Sequence, residues 1–214
     1  MARGFKRRGD RYVARLDAVE RGLVVGLMEQ VLELVEPEAG TPSAADGGDE
    51  FDAIVAGLGG IGSVGLGVSL SAADQVGEGL EPLVGPGRRD PALDRIFPVG
   101  NREDPELAAE FRHLTEEGLR TRKSANLGTA IAALVGAPDQ RISLDHTQAL
   151  ALVVALTDVR LVLGERLGLR HDEDFELLEE QASGLPEDDP AIYALAVYDF
   201  LTWLHETLAH ALMP

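Results

Sequence analysis

The run Phe51-Asp52-Ala53-Ile54-Val55-Ala56, followed by Gly57-Leu58-Gly59-Gly60-Ile61-Gly62, meets the dinucleotide pattern G-x-G-x-x-G. In that pattern the glycines allow a tight turn and bring the backbone against a pyrophosphate at a helix N-terminus. The chemistry needs an amphipathic helix next, and Ser63-Val64-Gly65-Leu66-Gly67-Val68 supplies more glycine instead. No second strand returns to build a βαβ unit, so the segment reads as a glycine-rich insertion. His205 and His210 lie in a run that resembles a zincin helix, but they are five apart rather than four. At about 100° per residue they diverge by roughly 140°, too far to share one metal ion. Asp145 beside His146 suggests acid–base work, yet Asp145-His146-Thr147-Gln148 is already explained as a helix capping box. No catalytic, cofactor-binding or metal-binding residue is assigned, and a non-enzymatic protein is expected.

The remaining chemistry lies in charge. Residues 171–214 hold eleven acidic side chains and no Lys or Arg, whereas the first 21 residues hold seven Lys or Arg against three acids. Asp172, Glu173, Asp174, Glu176, Glu179 and Glu180 lack the glycine turn and ligand spacing of a calcium loop, and read as a solvated face. Arg3, Lys6, Arg7, Arg8, Arg11 and Arg15 read either as a mobile N-terminus or as a hairpin laid on an acidic partner or on phosphate. The residues expected to meet a partner are Arg3, Lys6, Arg7, Arg8 and Arg11 at one end and Asp172, Glu173 and Asp174 at the other.

A net charge of −18 disfavours autonomous DNA binding, because such binding rests on cations neutralising phosphates. A local basic patch leaves it open. Cysteine is absent, which excludes disulfides, thiolate metal sites and thiol switches within the chain. The basic start runs into Gly9-Asp10 rather than an apolar stretch, so a signal peptide is not expected. Segments 149–163 and 191–212 are the most apolar. Asp158 and Arg160 interrupt the first, and Asp199, His205, Glu206 and His210 the second, so neither reads as a membrane span. A cytoplasmic setting is expected.

The elements that must position these groups read as mainly α: a single-domain helical bundle with a small β-hairpin and a short strand. Three parts are expected: 1–37, the hairpin and first helix; 38–89, a flexible Gly-rich insertion with a short helix at 49–58; and 90–214, the remaining helices of the same domain. Gly9-Asp10 between two β-compatible runs predicts the hairpin. Asp17 and Glu20 predict a helix start, with Val24, Leu27, Met28, Val31, Leu34 and Val35 on its buried side. Asp90-Pro91, Asp104-Pro105 and Asp189-Pro190 are three cap-plus-proline helix starts. After Asp104-Pro105, Leu107, Phe111, Leu114 and Gly118 form a seam, and 124–135 continues it or forms a second helix. Arg141-Ile142-Ser143-Leu144 suits a strand. The helix after it is apolar almost all round and should be the most buried, with Asp158 and Arg160 reaching a helix edge or an internal ion pair. The last helix has the core line Tyr193, Val197, Phe200, Leu201, Leu204, Leu208 and Leu212, and could form a dimer seam.

Several phrases resemble one family. They are Arg11-Tyr12-Val13-Ala14-Arg15-Leu16, the segment Asp90–Pro98, Glu110-Phe111-Arg112-His113-Leu114-Thr115, the segment Thr157–Gly164 and the ending Tyr193–Leu204. Together they are similar to the actinobacterial oxidative stress regulator family (AosR). The resemblance implies a cytoplasmic regulator acting with a sigma factor or RNA polymerase type of partner in the stress response. Family genes commonly lie near that of the protease adaptor ClpS, which implies a proteolysis-associated adaptor as an alternative. Direct DNA binding is the other. Redox sensing in that family rests on paired cysteines, and none is present to carry it over.

Overall fold

The computed structural model describes residues 2–36, 89–98, 105–182, 184–186 and 189–214. The insertion expected at 38–89, with its glycine pattern and its helix at 49–58, lies outside these except for Arg89, and so does the expected cap Asp104. The order is β1 (Arg3–Arg8), β2 (Arg11–Arg15), α1 (Ala18–Val35), α2 (Pro91–Ile96), α3 (Pro105–Val135), β3 (Arg141–Leu144), α4 (His146–Arg166), α5 (Asp172–Ala182) and α6 (Pro190–Leu212). The fold is mainly α with a small antiparallel sheet, as the patterning predicts.

Local chemistry sets most boundaries. Gly9, with φ 64°, takes the first central position of the two-residue hairpin loop, where a side chain would be strained. Asp17 accepts from the Val19 and Glu20 amides, and Glu20 returns a carboxylate oxygen to the Asp17 amide at 2.8 Å. Glu20 also accepts from the Ala2 amide at 2.9 Å, tying the start of the chain to α1. Asp145 and Gln148 form the same reciprocal box at α4. Asp90 and Asp189 each cap a helix whose first residue is proline. Each such cap stabilises its helix by about 1 kcal/mol.

The sheet order is β1-β2-β3, antiparallel throughout. Its inner face presents Phe5, Tyr12, Ala14, Ile142 and Leu144, all buried, to a core shared with α1, α3, α4 and α6. Helix α4 is central, packing on α3, α6, α2 and α1. It is also long and apolar enough to cross a membrane by length and composition alone, but half of that window is buried inside the fold. Within it, Asp158 is buried and meets Lys123 of α3 at 2.5 Å, while the Arg160 Nε donates to Thr202 of α6 at 3.1 Å.

Some expected core positions face solvent instead. The structure makes 105–135 one continuous helix, and its register leaves Leu114 74% exposed and Val135 62% exposed. Gly118, expected in the same seam, is exposed too. Leu150 and Val154 on α4 and Tyr193 on α6 are likewise exposed. Helix α4 therefore leaves a strip at Leu150 and Val154 open to solvent rather than being covered all round. The last helix keeps Val197, Leu201, Leu204 and Leu208 buried.

Strand β1 lies along α6, and a Cβ on Gly4 would sit 2.6 Å from the Thr207 Cγ2. Beside it, the Phe5 amide donates to the Thr207 hydroxyl at 3.2 Å. Gly4→Ala should therefore cost about 1–3 kcal/mol by overpacking, read as a fall in the urea midpoint. In Gly4→Ala/Thr207→Ala the steric part should shrink, since only the residue 207 Cβ, 2.9 Å away, remains against the new methyl, so the double variant should cost less than the two single changes summed. Additivity would show that the contact is not what places β1.

Candidate functional site: the outer face of the sheet

Strand alternation that buries one face dictates the other. Arg3 pairs with Arg15, Lys6 with Val13 and Arg8 with Arg11, with a register shift between Arg3 and Lys6. Across the other ladder, Val13 pairs with Ser143 and Arg15 with Arg141. The outer face therefore carries a row of three cations, Arg3, Arg15 and Arg141. A middle row holds Lys6, Val13 and Ser143, and a third pair joins Arg8 to Arg11. Rows of this kind root their side chains roughly 5 Å apart across strands and roughly 7 Å apart along them. Like charges directly opposite each other destabilise a sheet. Among the described residues, Arg3, Lys6 and Arg8 have no ionic partner. An open depression of about 1200 Å³ lies against this face, lined by Arg3, Lys6, Arg8, Arg15 and Arg141 with Val13. Asp139 is the one carboxylate among its described lining residues.

Several contacts hold the face in shape. Arg21 of α1 donates to the Ala137 and Asp139 carbonyls at 2.9 and 3.0 Å, fixing the loop that leads into β3. Arg11 donates to the Ser143 carbonyl at 2.7 Å, so it serves the sheet as well as the surface. Tyr12 meets the His146 Nδ1 at 3.1 Å, which anchors β2 to the start of α4. Arg7, at the hairpin tip, is exposed and lies on the Tyr12 side of its strand.

The acidic residues lie on helix α5, where a short helix at 173–182 is compatible with the sequence. Asp172 begins α5, Glu173 is exposed, and Asp174 accepts from the Arg170 and His171 amides at 2.7 Å each. Those two backbone bonds hold the Asp174 carboxyl below its usual range. Helix α5 is seated on α6 by Phe175 against Tyr198, ring centroids 5.7 Å apart. Strand β1 meets α6 at Thr207, nine residues or about 14 Å further along the axis. The fold does not bring the basic and acidic groups together; it displays them along one helix.

The other candidates are structural. His205 accepts or donates a bond with Thr157 at 3.1 Å, and burial, then Arg160, hold its pKa below the usual value. His210 is exposed. No group of three or more His, Asp or Glu side chains suited to a metal occurs among the described residues. Burial pushes the Asp158 carboxyl up, against the hydrogen bond and charge of Lys123. Its second oxygen, Oδ2, is buried without a hydrogen-bond partner among the described residues. A second cluster fastens α2. Arg89 reaches Glu116 at 2.9 Å, Glu116 meets Arg120 at 2.8 Å, Arg95 meets Glu165 at 3.0 Å and Arg166 meets Asp90 at 2.5 Å. Of these, sequence spacing shows only Glu116–Arg120; Arg141 joins the basic face only through the pairing of β3 with β2.

A family model described as a domain of unknown function (DUF2017) matches residues 2–212. No curated protein and no solved structure matches the chain.

Two stability predictions follow from the buried charges. Lys123→Met leaves Asp158 buried without its cation and should cost about 3–5 kcal/mol, whereas Lys123→Met/Asp158→Leu should be near neutral; chemical denaturation compares them. Burial raises the pKa of Glu116, but hydrogen bonds and charge from Arg89 and Arg120 outweigh it, so the net shift is downward. Its contribution is then present above the unfolded pKa and lost as pH falls through the folded one. Glu116→Gln should destabilise at neutral pH, and the gap from wild type should close below about pH 4. A constant gap would show that the carboxylate charge is not what Arg89 and Arg120 recognise.

Proposed function

We propose that this chain, which belongs to the DUF2017 family, is a non-enzymatic regulatory protein that docks an acidic protein partner on the outer face of its sheet. The observation that carries the reading is the opposed cations Arg3–Arg15–Arg141 and Arg8–Arg11. They repel one another across adjacent strands, and a carboxylate-bearing partner removes that cost. Five of the six cations on the face are arginines, whose planar fork suits bidentate contact with carboxylate. Charge of this kind sets encounter rate and orientation. The acidic helix α5 biases the approach from the other part of α6.

The resemblance to the actinobacterial oxidative stress regulators supports a narrower version. In it the partner is a sigma factor or RNA polymerase, the setting is cytoplasmic and the process is transcription under stress. With no cysteine in the chain, oxidation is then sensed by the partner, or regulation proceeds without a thiol switch. Direct DNA binding is a second reading, favoured by the same arginines, whose geometry also suits phosphate.

Cross-linked capture from the host, with and without oxidant, tests the narrower version. Recovery of a sigma factor or RNA polymerase supports it, and recovery of protease components alone favours an adaptor. The triple variant Arg8→Glu/Arg15→Glu/Arg141→Glu should weaken capture about tenfold or more and flatten its salt dependence. Unchanged capture overturns docking on this face. A salt-dependent mobility shift of promoter DNA by the pure protein, abolished in the same variant, would favour the DNA reading.

A further inference from the structure

Hydrogen-bond phase determines which backbone groups of the sheet are already spoken for. The Leu16 amide donates to the Gln140 carbonyl at 2.9 Å. In an antiparallel ladder bonded pairs alternate with unbonded ones. Ala14–Ile142 and Tyr12–Leu144 are therefore the pairs bonded to each other, while Arg141 and Ser143 turn their amides and carbonyls away from β2. The opposite edge obeys the same alternation: the Phe5 amide points off the sheet, and there it meets Thr207 of α6. Helix α6 thus occupies the β1 edge. At the β3 edge, Arg11 holds the Ser143 carbonyl. The Arg141 and Ser143 amides have no backbone partner among the described residues, and both side chains are exposed.

We infer that the acidic segment of the partner binds in extended form along the outward edge of β3, where the Arg141 and Ser143 amides are open, as a fourth strand whose alternate carboxylates lie beside the cationic rows. This rests on the docking role proposed above and gives it a geometry. An added strand supplies carbonyls to the outward amides of Arg141 and Ser143, and main-chain bonds of this type give affinity while alternate side chains give selectivity. A residue facing the same side as Arg141 lies roughly 5 Å from it, so a carboxylate there completes the row Arg3–Arg15–Arg141 with its first opposite charge. Charge also rejects the commonest unwanted occupant of an edge. The β3 strand of a second copy would bring another Arg141 against this row of cations. Single-stranded nucleic acid lacks its usual platform, because among the described residues the outer face presents no aromatic ring on which bases stack.

The test uses the full chain and a short peptide alternating Glu and Thr. The peptide should bind at low salt and protect the Arg141 and Ser143 amides from hydrogen exchange. Methylating one alternate set of its backbone amides should weaken binding about tenfold, while methylating the other set should not, since only one set faces β3. Ser143→Pro, checked by circular dichroism for an intact fold, should reproduce the loss by removing one outward donor. Equal binding of both methylated peptides would overturn strand addition and leave docking on the face standing. Failure of the plain peptide to bind, or its displacement by duplex DNA with no change in amide exchange, would also overturn the inference. Partner capture by the triple charge variant judges the docking role separately.

Discussion

Burial of the sheet's inner face is the constraint on which the candidate surface depends. Phe5, Tyr12, Ala14, Ile142 and Leu144 are removed from water in one shared core. A slip of one residue in either ladder would exchange the two faces, forcing arginines into the core at a cost no local partner could offset. The apolar set therefore fixes where the charges stand. The basic face is the other side of a packing decision, which is why it is regular enough to form rows.

Cations elsewhere in the molecule are used differently. Arg89, Arg95, Arg120, Lys123 and Arg166 all find carboxylates, and several also lie against backbone carbonyls or the Phe97 ring. The pairs of Arg89, Arg95 and Arg166 fasten the short helix α2, whose burial rests on Ala92, Ile96 and part of Leu93, with Phe97 at its C-cap. Such pairs are individually modest where they are exposed, and their effect here is to fix the position of an element too short to hold itself. The contrast gives the outer face its meaning: the fold pairs its internal cations and leaves a set opposed to one another on the sheet.

Much of this architecture was legible locally. Capping boxes at Asp17 and Asp145 and the Asp-Pro starts at Asp90 and Asp189 declare themselves within four residues, because the bonds that make them are local. The hairpin was legible from Gly9-Asp10, and β3 from its alternation. Burial was less so. Leu114, Val135, Leu150, Val154 and Tyr193 are apolar at helical spacing yet exposed, since spacing tells which residues share a side and not whether a neighbour covers that side. The basic site was half visible. Arg3, Lys6, Arg8 and Arg11 stand close in sequence, but Arg141 is more than a hundred residues away and enters only through strand pairing. An internal ion pair for Asp158 was legible from its place in an apolar helix, but Lys123 as its partner enters only through the packing of α3 on α4.

The close approach of Gly4 to Thr207 has a consequence for how the chain matures. Strand β1 lacks its platform on α6 until some two hundred residues further along have emerged, because its edge amide waits for the Thr207 hydroxyl. Strand β2 likewise waits for β3, well over a hundred residues downstream. Contacts of such long sequence separation form late and slowly. Vectorial synthesis therefore withholds the charged surface from any partner until β3 and α6 have both been made, so a product that stops before them would lack the assembled surface.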